Sequence, residues 1–560
     1  MINYIQETRT MELNKNLISK ILIIIFSILI LIIPDIIINF KKDILTFFLI
    51  LISKISLFLF LDLILLRLTK SYFTSYLILG SIYLISSIIE TVNICLLNNY
   101  VTLDNIKALF YTSKSEIIEF YHQFYLYFLI PISIIILFFL ILKKIRLYSY
   151  NIKNNRLIVL FSIISLLLTI SISTFFISSS SQFYSGKNLI KYTFKQYYVK
   201  QHPFNVFYRT YEFVLSRSRF NKYKTLKENF KFNILDKIDY LKKPDIVILI
   251  IGERIRYSNW SINGYNRKTS PNLDTIENLI SFNKHYSNGN STAGSIPLLI
   301  TQATPQNPEF AYSQKTIVSL FKEADYKTIW ISNQNIFDYI ENKNEPDNVF
   351  ELYKRKHTDL DILPVFDSII KVKDNNKKFI VINMVGGHGS IPKLFNKFQP
   401  SSFLKNYPVN FKNKFIFIND YDNMILLQDF VLSKIIRLTK RKNLSSIILF
   451  TPDHGCNLFE NENLFGYGSA NPTEKETHIP LFIWGSNKFI KNNYKYSNLI
   501  RHKNLMTTND NIFYTLADLA NIRYASFLKN KSIADSSYNE PNSRFVYING
   551  TFRKYKKLTH

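Results

Sequence analysis

Residues 445–458 read SSIILFTPDHGCNL. An apolar run, Ile447–Phe450, breaks at Pro452 and is followed at once by an acid and an imidazole, Asp453 and His454, on a glycine turn. A short continuous apolar run bounded by turn formers reads as a buried strand. Further runs share this character: DIVILII (245–251), KTIWIS (327–332), KFIVINMV (378–385) and IPLFIW (479–484). Lys-rich stretches with a helical pattern separate them. Such alternation predicts an α/β domain with a mainly parallel central sheet and helices on both faces, all of these runs being parallel strands.

In a sheet of that kind, sites gather beyond the carboxyl ends of the strands. The reactive residues fall there: DIVILII runs into Glu253, KFIVINMV into the Gly-Gly turn with His388, and SSIILF into Asp453-His454. Alone, Glu253 is an ordinary helix cap, His388 an ordinary loop histidine and Asp453-His454 an ordinary loop pair. Converging on one sheet edge, they form a donor set suited to zinc or a similar divalent ion. The stretch SNGNSTAGSIPLL, 287–299, is small and polar and then turns helical. A hydroxyl at a helix N-terminus sits where backbone amides favour an anion, and a metal would make it a nucleophile toward phosphorus. Ser291, Thr292 and Ser295 all fit that place on spacing, and an N-cap role fits as well.

The first third of the chain is different. Apolar runs at about 17–39, 44–66, 73–97, 124–142 and 157–178 each reach the roughly 20 residues that cross a bilayer. They predict a five-helix transmembrane domain at 1–180, with the first run an uncleaved anchor. Lys and Arg concentrate in the segments that lie inside if the N-terminus is inside, which places everything after 180 outside the cytoplasm. Residues 181–242 form a bridge. Its stretch FNVFYRTYEFVLSRSRF (204–220) reads either as a helix at the headgroup level or as an amphipathic helix packed on a soluble domain. Residues 243–560 are the soluble domain.

The chain of 560 residues carries a formal charge of +28. That charge suits an anionic lipid surface, or it follows from a composition rich in Lys, Asn and Ile, as in an AT-rich genome. No compact basic block or aromatic-basic module stands out, so nucleic-acid binding is not expected. The cysteines, Cys95 and Cys456, lie far apart, and no structural disulfide is expected.

With these residues in view, the chain resembles the phosphoethanolamine transferases, membrane members of the alkaline phosphatase/sulfatase superfamily. The resemblance rests on IGERIRYSNWSINGYNRKTSPNLD (251–274), STAGSIP (291–297), GGHG (386–389), YDNMILLQDFVLSKII (421–436), PDHG (452–455), NPTEKETHIPLFIW (471–484) and LFYTSKSEIIEF (109–120). It implies an alkaline-phosphatase-like fold for the soluble domain. It implies Thr292 as the nucleophile, Glu253, Thr292, Asp453 and His454 as ligands of a catalytic zinc, and His388 as a ligand of the transferred phosphate or of a second metal, with His478 a candidate support. It also implies transfer of phosphoethanolamine from phosphatidylethanolamine to an outer glycolipid such as lipid A or a lipopolysaccharide core, through a phosphothreonine. The implied setting is a monomer in the bacterial inner membrane with its catalytic domain in the periplasm.

The sequence departs from the family's pattern at several places. Asn290 stands for a Thr, Asn288 and Leu298 for flanking cysteines, Asn383 for a His, Cys456 for an acid, and Tyr467 for the His of a later His-Gly pair. These changes spare the four primary ligands and leave a second metal open. A glycerol-phosphate transferase of the lipoteichoic-acid-synthase type and a non-catalytic membrane-anchored binding module are the alternative readings.

Overall fold

The computed structural model describes residues 22–40, 42–112, 117–118, 121, 125–147, 155–178, 198–235, 243–335, 344–353, 358–372, 376–388, 395–398, 409–460, 465–469, 471–548 and 550–555. They separate into two compact units, one within the chain up to Val214, the other from Leu215 onward together with Lys107–Tyr111.

The second unit is built on β-branched and aromatic runs, which favour a pleated, buried surface. Its central strands are β1 (Ile246–Gly252), β2 (Leu279–Ser281), β4 (Lys327–Ser332), β5 (Asn348–Glu351), β6 (Lys378–Asn383), β7 (Ser446–Pro452) and β10 (Phe482–Gly485), in the spatial order β2-β10-β7-β1-β6-β4-β5. Small pairs complete the set: β3 (His285–Tyr286) with β11 (Thr507–Thr508), β8 (Asn457–Leu458) with β9 (Phe465–Gly466), and β12 (Phe545–Ile548) with β13 (Thr551–Lys554). Pairs β7-β1, β1-β6, β6-β4 and β4-β5 are parallel. The run IPLFIW corrects the expectation: β10 is antiparallel to both β7 and β2, so the sheet is mixed. An apolar run buried on both faces carries no mark of its direction, which is why the pattern misread it. Every residue of β1, β6 and β7 is buried. Because those three strands are neighbours and parallel, their carboxyl ends open at one edge, with Gly252 beside Pro452 and Ile251 beside Asn383. The core includes Val247, Leu249, Leu299, Phe321, Trp330, Val381, Leu449 and Phe513.

In the first unit, Ile44–Thr69, Tyr72–Leu97 and Tyr125–Arg146 are long and apolar enough to cross a membrane, and the pair Leu22–Leu31 and Ile33–Asn39, bent by 63°, makes up to four. The run at 157–178 lies in the helix Asn155–Ser178, of which Val159–Ile172 is a shorter apolar helix among the described residues. Among the described residues, three helices, or four with the bent pair, thus meet the length and composition of a span where the sequence pattern predicts five. Asp35 lies buried among these helices, paired with Lys54 Nζ at 3.0 Å and His202 Nδ1 at 2.9 Å. Tyr100 donates to Asp35 Oδ1, the oxygen that Lys54 meets, at 2.6 Å. Ser87 Oγ meets His202 Nε2 at 2.9 Å, and Glu90 accepts from Asn205 at 2.7 Å and Val101 N at 2.8 Å. Charges in such surroundings persist only when each is paired. The stretch 204–220 forms part of the helix Asn205–Asn229, which buries Val206 and Phe213 and exposes Tyr211 and Val214. Within the segment 109–120 and the bridge at 181–242, residues 113–116, 119–120, 181–197 and 236–242 fall outside the described residues.

Candidate active site

Glu253 follows β1 and Asp453-His454 follow β7, and the parallel register sets them side by side. Asp453 N donates to Gly252 O at 3.1 Å, carrying the ladder one step past the strand. The backbone amides of His454 and Arg254 then both donate to Asp453 Oδ1, at 2.7 and 3.3 Å. One carboxylate oxygen is thereby tied down, while Asp453 Oδ2 is buried without a hydrogen-bond partner. His454 Nε2 lies 3.3 Å from Asp453 Oδ2 and 3.6 Å from Glu253 Oε1.

Thr292 opens the helix Thr292–Ile300, whose N-cap is Ser291; the Ser291 hydroxyl accepts from Gly294 N at 3.3 Å. Ser295 is buried with its hydroxyl 3.1 Å from Ser287 Oγ. Of the hydroxyls the spacing left open, Thr292 is therefore the one that meets the cluster: its Oγ1 donates to Glu253 Oε2 at 3.2 Å and lies 3.4 Å from His454 Nε2. Gly289 allows the close approach that sets this loop, since a Cβ there would lie 2.8 Å from Ser295 Oγ and 2.9 Å from Gly294 C.

Ligand atoms of Glu253, Asp453 and His454 all lie within 4.8 Å of one another. The donor set fits a divalent cation on two further grounds. His454 Nδ1 faces Gly455 O at 2.8 Å, so it carries the proton and leaves Nε2 with its lone pair toward the carboxylates. Burial, and then the neighbouring Glu253 charge, push the Asp453 carboxyl well above its ordinary range, a penalty that a cation between the two carboxylates would remove. Glu253, Thr292, Asp453 and His454 are the residues that could hold it.

His388 and His478 are the remaining expected residues. His388 ends the turn Gly386–His388 after β6, and its side chain lies outside the described residues. His478 does not join the cluster among the described contacts. Its Nε2 meets Asn283 O at 3.0 Å and its ring is stacked on Tyr257 at 4.2 Å and against Tyr286 at 4.8 Å.

Several supporting residues carried no signal in the sequence. Gln334 Nε2 donates to Glu253 Oε2 at 3.0 Å, and Asn383 holds the Gln334 oxygen at 3.3 Å. Gln334 lies just past the carboxyl end of β4, so the strand-end rule could have found it. Buried Asp359 accepts from the backbone of Val385 and Gly386 at 2.8 and 2.9 Å and so fixes the turn that bears His388. Glu476 accepts from Asn290 at 3.2 Å and Ser469 N at 3.0 Å, tying the loop before Thr292 to the segment after β9. Asn288 and Leu298, which flank that loop, meet one strand: Tyr547 N donates to Asn288 O at 2.7 Å, and Tyr547 packs on the cluster of Leu298, Ala303 and Ala311.

Residues 245–522, which hold this sheet and the cluster at its carboxyl edge, match the family described as Sulfatase. The chain carries a sulfatase-family domain. Among proteins of that kind it is similar to phosphoethanolamine transferases. It is 25% identical over 319 residues to phosphoethanolamine transferase EptC of Escherichia coli K12, a match that covers 53% of this chain and 54% of EptC. The chain thus spans about half the length of the curated relatives it matches. The integral membrane protein lipooligosaccharide phosphoethanolamine transferase A of Neisseria meningitidis shares the fold with a TM-score of 0.63 at 18% identity, over 84% of this chain and 91% of that one. The C-terminal periplasmic domain of E. coli EptC, solved in complex with Zn, does so with a TM-score of 0.51 at 22% identity, over 58% of this chain and 96% of that domain.

Proposed function

We propose that this chain is a membrane-anchored, zinc-dependent transferase that moves phosphoethanolamine from phosphatidylethanolamine to an outer glycolipid. The observation that carries the reading is Thr292 Oγ1, set at a helix N-terminus within 3.2 Å of Glu253 Oε2 and 3.4 Å of His454 Nε2. The names of the similar proteins supply the transferred group and, in the Neisseria protein, an acceptor of the glycolipid class. Zinc bound by Glu253, Thr292, Asp453 and His454 would lower the hydroxyl pKa and offset charge growing on the phosphoryl oxygens.

The chain's own residues do the rest. Glu253 Oε2, as the acceptor of the Thr292 hydroxyl, is positioned to hold its proton while Oγ1 forms a bond to phosphorus. The bond from phosphorus to the glycerol oxygen breaks, that oxygen takes the proton held on Glu253, and diacylglycerol leaves as the alcohol. An acceptor hydroxyl then attacks the phosphothreonine, the bond from phosphorus to Oγ1 breaks, and the acceptor's proton passes by way of Glu253 to Oγ1, which restores the threonine hydroxyl. The helix N-terminus favours negative charge at each stage. A lipid donor fits an anchor of five spans with the N-terminus inside and residues 243–560 on the periplasmic face of the inner membrane.

Incubating the purified full chain with headgroup-labelled phosphatidylethanolamine tests this reading. Label is expected to be retained on the wild type and not on Thr292→Ala. Wild-type protein with bound zinc and no label would overturn it.

A further inference from the structure

We propose that Arg254 is a substrate-positioning residue of this site, its guanidinium holding a non-bridging oxygen of the donor's phosphodiester; the assignment rests on the transferase reading above.

Arg254 directly follows Glu253 and sits in the left-handed region, φ 59°. A non-glycine residue held there departs from the strand's course. Its amide is tied to Asp453 Oδ1, so the backbone is fixed on the cluster itself. Its stem runs along the Gly386–His388 turn: a Cβ on Gly387 would lie 3.2 Å from Arg254 Cβ and 3.6 Å from Cδ. Its head lies 5.1 Å over the Tyr467 ring, and that ring lies 4.3 Å from the His454 imidazole. Arg254 therefore bridges the turn after β6 and the aromatic ring that covers a cluster residue.

The neighbouring arginines are used differently. Arg256 is paired with Glu460 and donates to Asn259 Oδ1 at 2.5 Å, and Arg267 pairs with Asp422 at 2.8 Å. Arg254 has no such partner: among the described residues no carboxylate lies within ion-pair distance of it, and its buried Nε lacks a hydrogen-bond acceptor. A buried donor without an acceptor is costly and is completed by a ligand where one binds.

Charge balance gives the ligand's class. Glu253 and Asp453 contribute two negative charges and neutral His454 none, so one dication closes that account. A phosphodiester then brings one further negative charge, which the guanidinium matches. Arginine's planar fork suits phosphate oxygens, and charge spreads over those oxygens during transfer.

The test uses the zinc-loaded full chain in detergent, with inorganic phosphate as the probe. Phosphate affinity and zinc content are measured for wild type, Arg254→Ala, Arg254→Gln and Arg254→Lys, beside labelling by phosphatidylethanolamine. Arg254→Ala and Arg254→Gln are expected to keep zinc, weaken phosphate about tenfold or more and slow labelling about a hundredfold at saturating donor. Arg254→Lys should recover part of both. Phosphate affinity within twofold of wild type in a zinc-bearing Gln or Ala variant would overturn the assignment. So would loss of phosphate binding in Arg254→Lys equal to that in Arg254→Ala. If Ala and Gln both lose zinc, the residue is structural and the assignment also fails. Wild type that binds phosphate through Arg254 but takes no label would sink the transferase reading and leave the anion site standing.

Discussion

At the scale of single residues, the site rests on Asp453 Oδ2, buried beside His454 without a hydrogen-bond partner. Asp453→Asn and His454→Ala each remove a candidate metal ligand, the first with no change of side-chain volume. Both are expected to lower zinc content by more than tenfold and abolish transfer while the protein stays folded; metal analysis beside circular dichroism checks this. Burial and Glu253 raise the Asp453 carboxyl, so a metal bound there competes with protons. Calorimetry in buffers of different ionisation enthalpy should show proton release on zinc binding, and weaker zinc binding as pH falls. A second titration belongs to stability. Burial lowers His285, which touches Thr451 and Asn509, to about 3. The unfolded histidine titrates near 6.5, so between those values the unfolded chain binds a proton that the native site refuses. Stability is therefore full above about 6.5 and is lost as pH drops toward 3, by about 2 kcal/mol at pH 5. Urea unfolding of wild type and His285→Gln at pH 7 and pH 5 reads this directly. Glu253, Asp453 and His454 were legible because each follows an apolar run. Thr292 was not separable from Ser291 and Ser295 until the cap and the Ser287 contact accounted for those two. Gln334 follows β4, where the strand-end rule reaches it, whereas Asp359 acts through Val385 and Gly386 and Glu476 through Asn290, contacts that no local pattern displays.

At the scale of elements, the parallel centre of the sheet was readable and the reversal of β10 was not, since both faces of that strand are buried. The hairpin β12-β13 gave no chemical signal at all. It nevertheless joins the two ends of the nucleophile segment, by a backbone bond to Asn288 and by Tyr547 on Leu298. Asn288 thus bonds β12 through both its backbone and its side-chain amide, and Leu298 is held by packing. Tyr547→Ala should destabilise the catalytic unit by about 1–3 kcal/mol, a discount on the cost of deleting a fully buried aromatic ring. Thermal melting checks the loss, and labelling of Thr292 should slow more than zinc content falls.

At the scale of the whole molecule, two units have different interiors. The first holds Asp35, Lys54 and His202 in one buried group. Asp35→Asn strands the Lys54 charge and is expected to cost about 3–5 kcal/mol, whereas replacing both by apolar residues of similar size costs less. Proteolysis of the detergent-solubilised chain compares them. Each unit also carries a single free thiol, half-buried Cys95 in the first and fully buried Cys456 beside Asp453-His454 in the second. The molecule thus has a native reporter in each half. With Cys95→Ser, a maleimide or dithiobis reagent can modify only the thiol next to the metal ligands, and it reaches that sulfur only when the surrounding turn breathes. The rate of that modification, slowed by zinc, becomes a clock for how often the site opens.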